Sequence, residues 1–142
     1  MHTILSDIGL DLRRWPNAKA CCSWLGLAPH HEISGGKILR RSTLKTCNRA
    51  GQAFRLAARA VSRSQNSLGA FYRRMRARLG PKSALVATAH KIARMVYHLL
   101  THRTPFRDLS AAEYERRTRD RDIAALRKKA TRLGFTLVES PA

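Results

Sequence analysis

The sequence predicts an all-α fold: a compact helical domain with a helix-hairpin-helix-like start, a basic glycine-rich loop and a long C-terminal helix. Three observations lead to this prediction. Apolar residues recur at intervals of three and four along most of the chain. Asparagine or serine precedes several of these stretches as a helix N-cap, and glycine ends them. No segment has a convincing strand pattern, with the one exception of "GFTLVES" near the end.

The first 30 residues predict the end of one helix, a turn and a second helix. Ile4 and Ile8 have helical spacing, and Gly9 ends the first helix. Asn17 can cap the second helix, which Gly26 ends. Because the chain opens almost inside a helix, without a capping sequence, we expect it to be a piece of something longer.

Residues 31–48 are predicted to form a loop rich in glycine and hydroxyl residues, and a strong helix follows. Arg55, Arg59 and Arg63 recur every four residues along this helix and make a basic stripe. Such a stripe is commonly a solvated face. Here no acid lies four residues away to pair with these arginines, so we favour a ridge that faces phosphate.

Two more helices meet at Gly80, and a last helix starts at the capping-box pair Ser110 and Glu113. The last helix has apolar residues in a seven-residue rhythm, at 123, 126, 130 and 133, which suits docking on the domain or pairing with another subunit. The helix before it is the predicted central core helix. Its apolar stripe consists of Leu85, Ala89, Ile92, Val96 and Leu99.

Of the properties of the composition, the net charge restricts the possible binding partners most strongly. The 142 residues include 28 Lys and Arg against 9 Asp and Glu, which gives a formal charge of +19. A compact domain with this charge repels itself unless a polyanion neutralises it. No acid occurs from Ile33 to Arg107, as expected of a surface that lies against phosphates. Nucleic acid is therefore the expected partner; a basic ribosomal-type protein would show the same gap.

The three cysteines form neither a zinc pattern nor an even disulfide set. Cys21 and Cys22 lie in an apolar helical stretch, and we expect them to be core thiols. No stretch resembles a signal peptide or is apolar enough to cross a membrane. We therefore expect a soluble protein of the cytoplasm.

The stretch "SGGK", at positions 34–37, is the strongest candidate for chemistry. Its two glycines remove side chains, so backbone N–H groups can approach a phosphate. Lys37, Arg40 and Arg41 could stabilise the charge of a phosphoryl-transfer transition state. Ser34 could then be the nucleophile, although a serine hydroxyl needs activation. The alternative is a phosphate-contacting hairpin without chemistry. The basic core lacks the clustered carboxylates that two-metal catalysis requires.

Several motifs occur in a specific order: G-L-x-P at 26–29, S-G-G-K at 34–37, N-R at 48–49, Y-R-R at 72–74, A-H-K-I-A-R at 89–94, and a "YERRTRDRD" tail followed by "LGF". In this order they resemble the C-terminal transposase domain of the IS116/IS110/IS902 insertion-sequence family, over nearly the whole chain. The resemblance divides the chain into a partial helix-hairpin-helix-like element (1–30), a core for catalysis and DNA binding (31–107), and a C-terminal helix with its tail (108–142).

The resemblance implies a recombinase that moves insertion sequences, in some members guided by a structured RNA. It implies a serine that forms a covalent link to DNA, and this serine maps onto Ser34. It also implies an N-terminal RuvC-like domain with an acidic Mg²⁺ site, which is missing here, so no cofactor is expected in this chain. The expected DNA or phosphate contacts, assigned by position and chemistry, are Gly35, Gly36, Lys37, Arg40, Arg41, Lys45, Asn48, Arg49, Arg55 and Arg59.

The expected partners are DNA, a guide RNA, the RuvC-like domain and further copies of the chain in the active assembly, without a membrane. Three hypotheses stay open. The chain is part of a recombinase that binds nucleic acid but does not transpose by itself. Alternatively, it is a remnant that keeps the binding and has lost catalysis. The third hypothesis is a basic structural protein that binds RNA or DNA.

Overall fold

The computed structural model describes residues 2–9, 11–43 and 48–141 and consists mostly of helices, as predicted. In chain order the elements are α1 (His2–Ile8), a 3₁₀ helix (Leu12–Arg14), α2 (Ala18–Trp24), β1 (Pro29–Ser34), β2 (Lys37–Thr43), α3 (Arg49–Val61), α4 (Ser67–Leu79), α5 (Pro81–His102) and α6 (Ala111–Arg132). Among these helices, none is long and apolar enough to span a bilayer.

Side-chain caps begin four of the described α-helices, including those predicted at Asn17 and Ser110. Each cap accepts a hydrogen bond from a backbone N–H of the first turn, which has no partner inside the helix. The bonds run from Ala20 N to Asn17 Oδ1 (2.9 Å), from Gly51 N to Asn48 Oδ1 (3.1 Å), from Gly69 N to Asn66 Oδ1 (3.0 Å) and from Glu113 N to Ser110 Oγ (3.2 Å).

The prediction about strands was wrong in two places. The expected loop at 31–48 contains most of an antiparallel hairpin, formed by β1 and β2. "GFTLVES" is not a strand, because α6 ends in a turn at Gly134 (φ +79°) and the residues beyond it are exposed. Phe135 N donates to the Ala130 carbonyl (2.9 Å), which closes this helix end.

One hydrophobic core joins the first 30 residues to α3 and α5. Its largest fully buried side chains include Leu25, Leu27 and Phe54. Cys21 and Cys22 are also buried, which confirms that they are core thiols. Burial raises the pKa of each thiol to about 11, because the thiolate would lose its hydration.

The central helix α5 packs against α2 and α3, and also against α4, which in turn contacts α6. Tyr114 and Thr118 are the buried residues of α6. The ammonium of Lys91 lies 4.1 Å from the ring centre of Phe71 and 4.6 Å from that of Tyr114, so it connects α4, α5 and α6. Burial lowers the pKa of Lys91, and the charge of Arg121 lowers it further.

The apolar residues that recur along α6 in the sequence contribute little to its contact with α4 and α5. Leu126 and Leu133 are 54% and 57% exposed. The face with Tyr114 and Thr118 docks instead, because an edge-to-face contact between Tyr114 and Phe71 holds it on α4 (6.5 Å between ring centres). Asp122 on α6 also pairs with Arg74 on α4 (3.1 Å).

At Gly51 the backbone of α3 approaches the chain at the end of α2 closely. A Cβ built on this glycine would overlap the carbonyl oxygen of Leu25. Arg55, one turn further along α3, donates from Nη2 to the carbonyl oxygen of Gly26 (2.8 Å). The turn after α2 is therefore held by a backbone contact and a charge-assisted hydrogen bond.

We expect Gly51→Ala to lower the free energy of unfolding by about 1–3 kcal/mol, because its Cβ would meet a backbone atom that can move only with the chain. Urea unfolding followed by circular dichroism measures this difference. The matched control is Gln52→Ala, at the exposed next position, which should stay within about 0.5 kcal/mol of the parent. An unchanged midpoint for Gly51→Ala would contradict the close approach.

Candidate nucleic-acid interface

The "SGGK" stretch forms the tip of the hairpin. Ser34 and Lys37 are cross-strand partners, and Gly35 and Gly36 connect them. Both glycines have positive φ angles, +55° and +75°, as in the two-residue type I′ turns that suit twisted hairpins. Residues with a Cβ rarely adopt this conformation, so the turn explains why two glycines stand here.

A register shift divides the tip from the base of the hairpin. Ile33 pairs with Ile38, whereas Glu32 pairs with Arg40, so Leu39 is an extra residue on β2. Such a bulge bends its strand and increases the local twist. Because side chains alternate along a strand, Ser34 lies on the face of β1 opposite to that of Ile33.

The tip of the hairpin is open to solvent. Ser34, Lys37 and both glycines are exposed, and a Cβ built on Gly35 or Gly36 would have no heavy atom within 4 Å. In the described part of the chain, neither strand packs extensively on a helix. A phosphate can therefore approach the backbone of the turn from several sides.

Three further residues in or after the hairpin, Arg40, Arg41 and Lys45, were predicted to contact DNA. Arg40 and Arg41 follow on β2, opposite Glu32 and His31 in the register. Lys45 lies outside the described residues. The structure thus brings the residues of the tip together and places the two arginines further along the same strand.

The predicted contacts on α3 differ in what their side chains do. Asn48 caps the helix, and Arg55 is half-buried and bonded to Gly26, so both have structural partners. Arg49 and Arg59 are exposed. Leu56, Arg59 and Ala60 on the outer surface of α3 line a shallow depression together with Arg63, which lies two residues beyond the helix end. The exposed part of the predicted basic stripe is therefore Arg59 and Arg63, which we call the α3 ridge.

Side chains that could ligate a metal are scattered in the part of the chain that the structure describes. Within 2–9, 11–43 and 48–141, no group of three or more His, Cys, Asp or Glu side chains is placed to hold a metal ion. The residues present therefore do not fit the acidic Mg²⁺ site that the resemblance implies for a separate domain.

Sequence reasoning missed two features near the hairpin. Ile33 and Ile38 form an exposed cross-strand pair beside the tip. The signal for it was present, since two glycines between alternating residues are typical of a hairpin. The bond from Arg55 to the carbonyl of Gly26 was also missed, and no local pattern marks it, because the two residues are 29 positions apart.

The N-terminal half of the chain is similar to a known protein family. A family model described as Transposase IS116/IS110/IS902 family matches residues 1–73, which include α1, α2, the hairpin and α3. No curated protein and no solved structure gives a match.

We expect Gly36→Val to destabilise the hairpin by about 1–2 kcal/mol, since valine would have to adopt a left-handed conformation. The cross-strand nuclear Overhauser effects between Ile33 and Ile38 should weaken or disappear. Gly35→Asn is the matched control, because asparagine followed by glycine suits a type I′ turn. Full retention of these effects in Gly36→Val would contradict the turn described here.

Proposed function

Because the chain belongs to the IS116/IS110/IS902 transposase family, we propose that it is the DNA-binding C-terminal domain of an insertion-sequence transposase, with Ser34 as the nucleophile for strand cleavage and exchange. The observation that carries the proposal is the hairpin tip. It presents an exposed hydroxyl beside two glycines and a lysine, on a ribbon open to solvent.

The proposed step is a phosphoryl transfer to serine. Ser34 Oγ attacks the phosphorus of a DNA phosphodiester, and the Oγ–P bond forms as the bond from phosphorus to one deoxyribose oxygen breaks. A general base takes the serine proton, and the leaving oxygen is protonated. A hydroxyl of the new strand then attacks the phosphoserine and releases Ser34. One phosphoester bond replaces another, so the exchange needs no oxidant or external energy source.

The tip offers partners for the charge of this reaction. Lys37 lies directly across from Ser34, and the glycines leave room for backbone N–H groups to face the phosphate oxygens. The hairpin contains one carboxylate, Glu32, which lies two positions before Ser34 and on the same face of β1. Glu32 is therefore the candidate within the hairpin for the general base.

DNA binding by the rest of the domain is supported by charge. The acid-free span from Ile33 to Arg107 includes the α3 ridge, whose arginines are exposed and have no acid in the neighbouring turns. Such arginines can contact phosphates without the free-energy cost of first breaking an ion pair with a carboxylate.

A nucleic-acid-binding remnant without catalysis is the second candidate function. It is favoured by the charge of the acid-free span, which supports binding to phosphates whether or not Ser34 is activated. DNA binding is common to both candidates, and covalent chemistry distinguishes them.

For DNA binding, we expect the double variant Arg59→Gln/Arg63→Gln to reduce the slope of log K against log salt by about 1.8, at about 0.9 for each lost phosphate contact. Fluorescence anisotropy of a labelled duplex over a salt series measures the slope. Arg13→Gln/Arg117→Gln removes the same charge from arginines already paired with Asp11 and Glu113. A slope that changes equally in both variants would contradict a specific role for the ridge.

For the chemistry, we expect a covalent protein–DNA adduct that is lost in Ser34→Ala. The chain is incubated with labelled element-junction DNA, a matching RNA, Mg²⁺ and a related acidic domain supplied in trans, and then separated under denaturing conditions. Ser42→Ala, on β2 of the same hairpin, is the matched serine control and should keep the adduct. An adduct in Ser34→Ala would exclude this nucleophile, and salt-sensitive binding without any adduct would favour the remnant.

A further inference from the structure

Two aliphatic side chains lie unburied at the tip of the hairpin. Ile33 and Ile38 are direct cross-strand partners, and they are 64% and 45% exposed. A single exposed aliphatic residue is ordinary on a protein surface. Here two β-branched residues stand side by side, next to the turn, on a ribbon that does not pack extensively on the described helices.

The surroundings of this pair favour a negatively charged ligand. Lys37 adjoins Ile38, and β2 continues with Arg40 and Arg41. Along the hairpin these three cations outnumber the single carboxylate, Glu32. An apolar surface on a ribbon of net positive charge fits a ligand that combines anionic and flat apolar groups, and the phosphates and base faces of DNA have both properties. A second copy of this chain would also carry a charge of +19, so mutual repulsion opposes self-association through this surface.

The shape of the tip is compatible with entry into a groove. A two-stranded ribbon fits the major groove of B-DNA, and isoleucine is among the side chains that proteins insert between base steps. The two-residue turn makes the end of the ribbon narrow, and both glycines lack side chains that would widen it. The isoleucines are therefore the first large apolar groups that a duplex would meet.

We propose that Ile33 and Ile38 form an apolar wedge that inserts between adjacent base pairs of duplex DNA. The proposal rests on the proposed function in that it takes DNA as the ligand. It needs binding only, and it does not depend on the reaction of Ser34. Unstacking at this point would bend the duplex at the tip of the hairpin.

The test uses the full chain and short duplexes that contain 2-aminopurine in a TA step, which unstacks easily. We expect its fluorescence to rise when the parent chain binds, because an unstacked 2-aminopurine is less quenched. The variant Ile33→Thr/Ile38→Thr keeps branched side chains that favour strands, so the hairpin should persist. We expect this variant to bind with an unchanged salt slope and to lose the fluorescence rise.

Two further measurements keep the test specific. Val138→Thr makes the same kind of change at an exposed position outside the hairpin (82% exposed) and should keep the full fluorescence rise. Cross-strand nuclear Overhauser effects between positions 33 and 38 report whether the double variant retains the hairpin. If it does not, Ile33→Val/Ile38→Val is used, and a rise that falls with the shortened side chains supports the wedge.

The possible failures are distinguishable. Absence of any salt-sensitive binding by the parent chain would overturn the proposed function and the wedge with it. Binding without a fluorescence rise, or with an equal rise in the double variant, would overturn the wedge alone. A double variant that loses self-association in light scattering, with unchanged fluorescence, would identify the pair as a contact between copies and also overturn the wedge.

Discussion

The contact between the end of α2 and the first turn of α3 is the constraint on which the rest of the molecule depends. Gly51 lets the α3 backbone reach the carbonyl of Leu25, and Arg55 then binds the carbonyl of Gly26. The chain leaves the core at this turn to form the hairpin and returns to it at α3. The hairpin packs little on the helices, so its position relative to the core is set where its two ends are held.

The same constraint explains how so basic a chain can fold. The buried face of α3 includes small residues such as Ala50 and Ala58, which let the helix pack closely on the core. The arginines of α3 are then left on the outer surface, except Arg55, whose charge a carbonyl oxygen partly satisfies. Ion pairs with carboxylates lie mainly in α6 and its neighbours, away from the hairpin. Among the described residues, the fold thus separates a region with several ion pairs, around α6, from the α3 ridge, where Arg59 and Arg63 have no acid in the neighbouring turns.

The parts predictable from the sequence were those with local signals. Helix ends follow from a single cap or glycine, as at Asn17 and Gly80, and the candidate serine follows from the unusual pair of glycines beside it. From the sequence, a hairpin at the two glycines is only an alternative to a loop, because its strands lie largely outside the core and no buried face strengthens the pattern of a strand. The face of α6 that docks was not predicted. Tyr114 docks through its contacts with Phe71 and Lys91, and both of these residues are distant from it in sequence. No local signal reveals such long-range choices.

The two buried thiols of α2 are protected from oxidants and alkylating reagents while the core is folded. With a pKa of about 11, Cys21 and Cys22 carry almost no thiolate at neutral pH, and thiolate is the form that oxidants and alkylating reagents attack. Their sulfur atoms become reactive when α2 separates from α5. The rate at which these two cysteines are labelled would therefore report how often the core opens at α2.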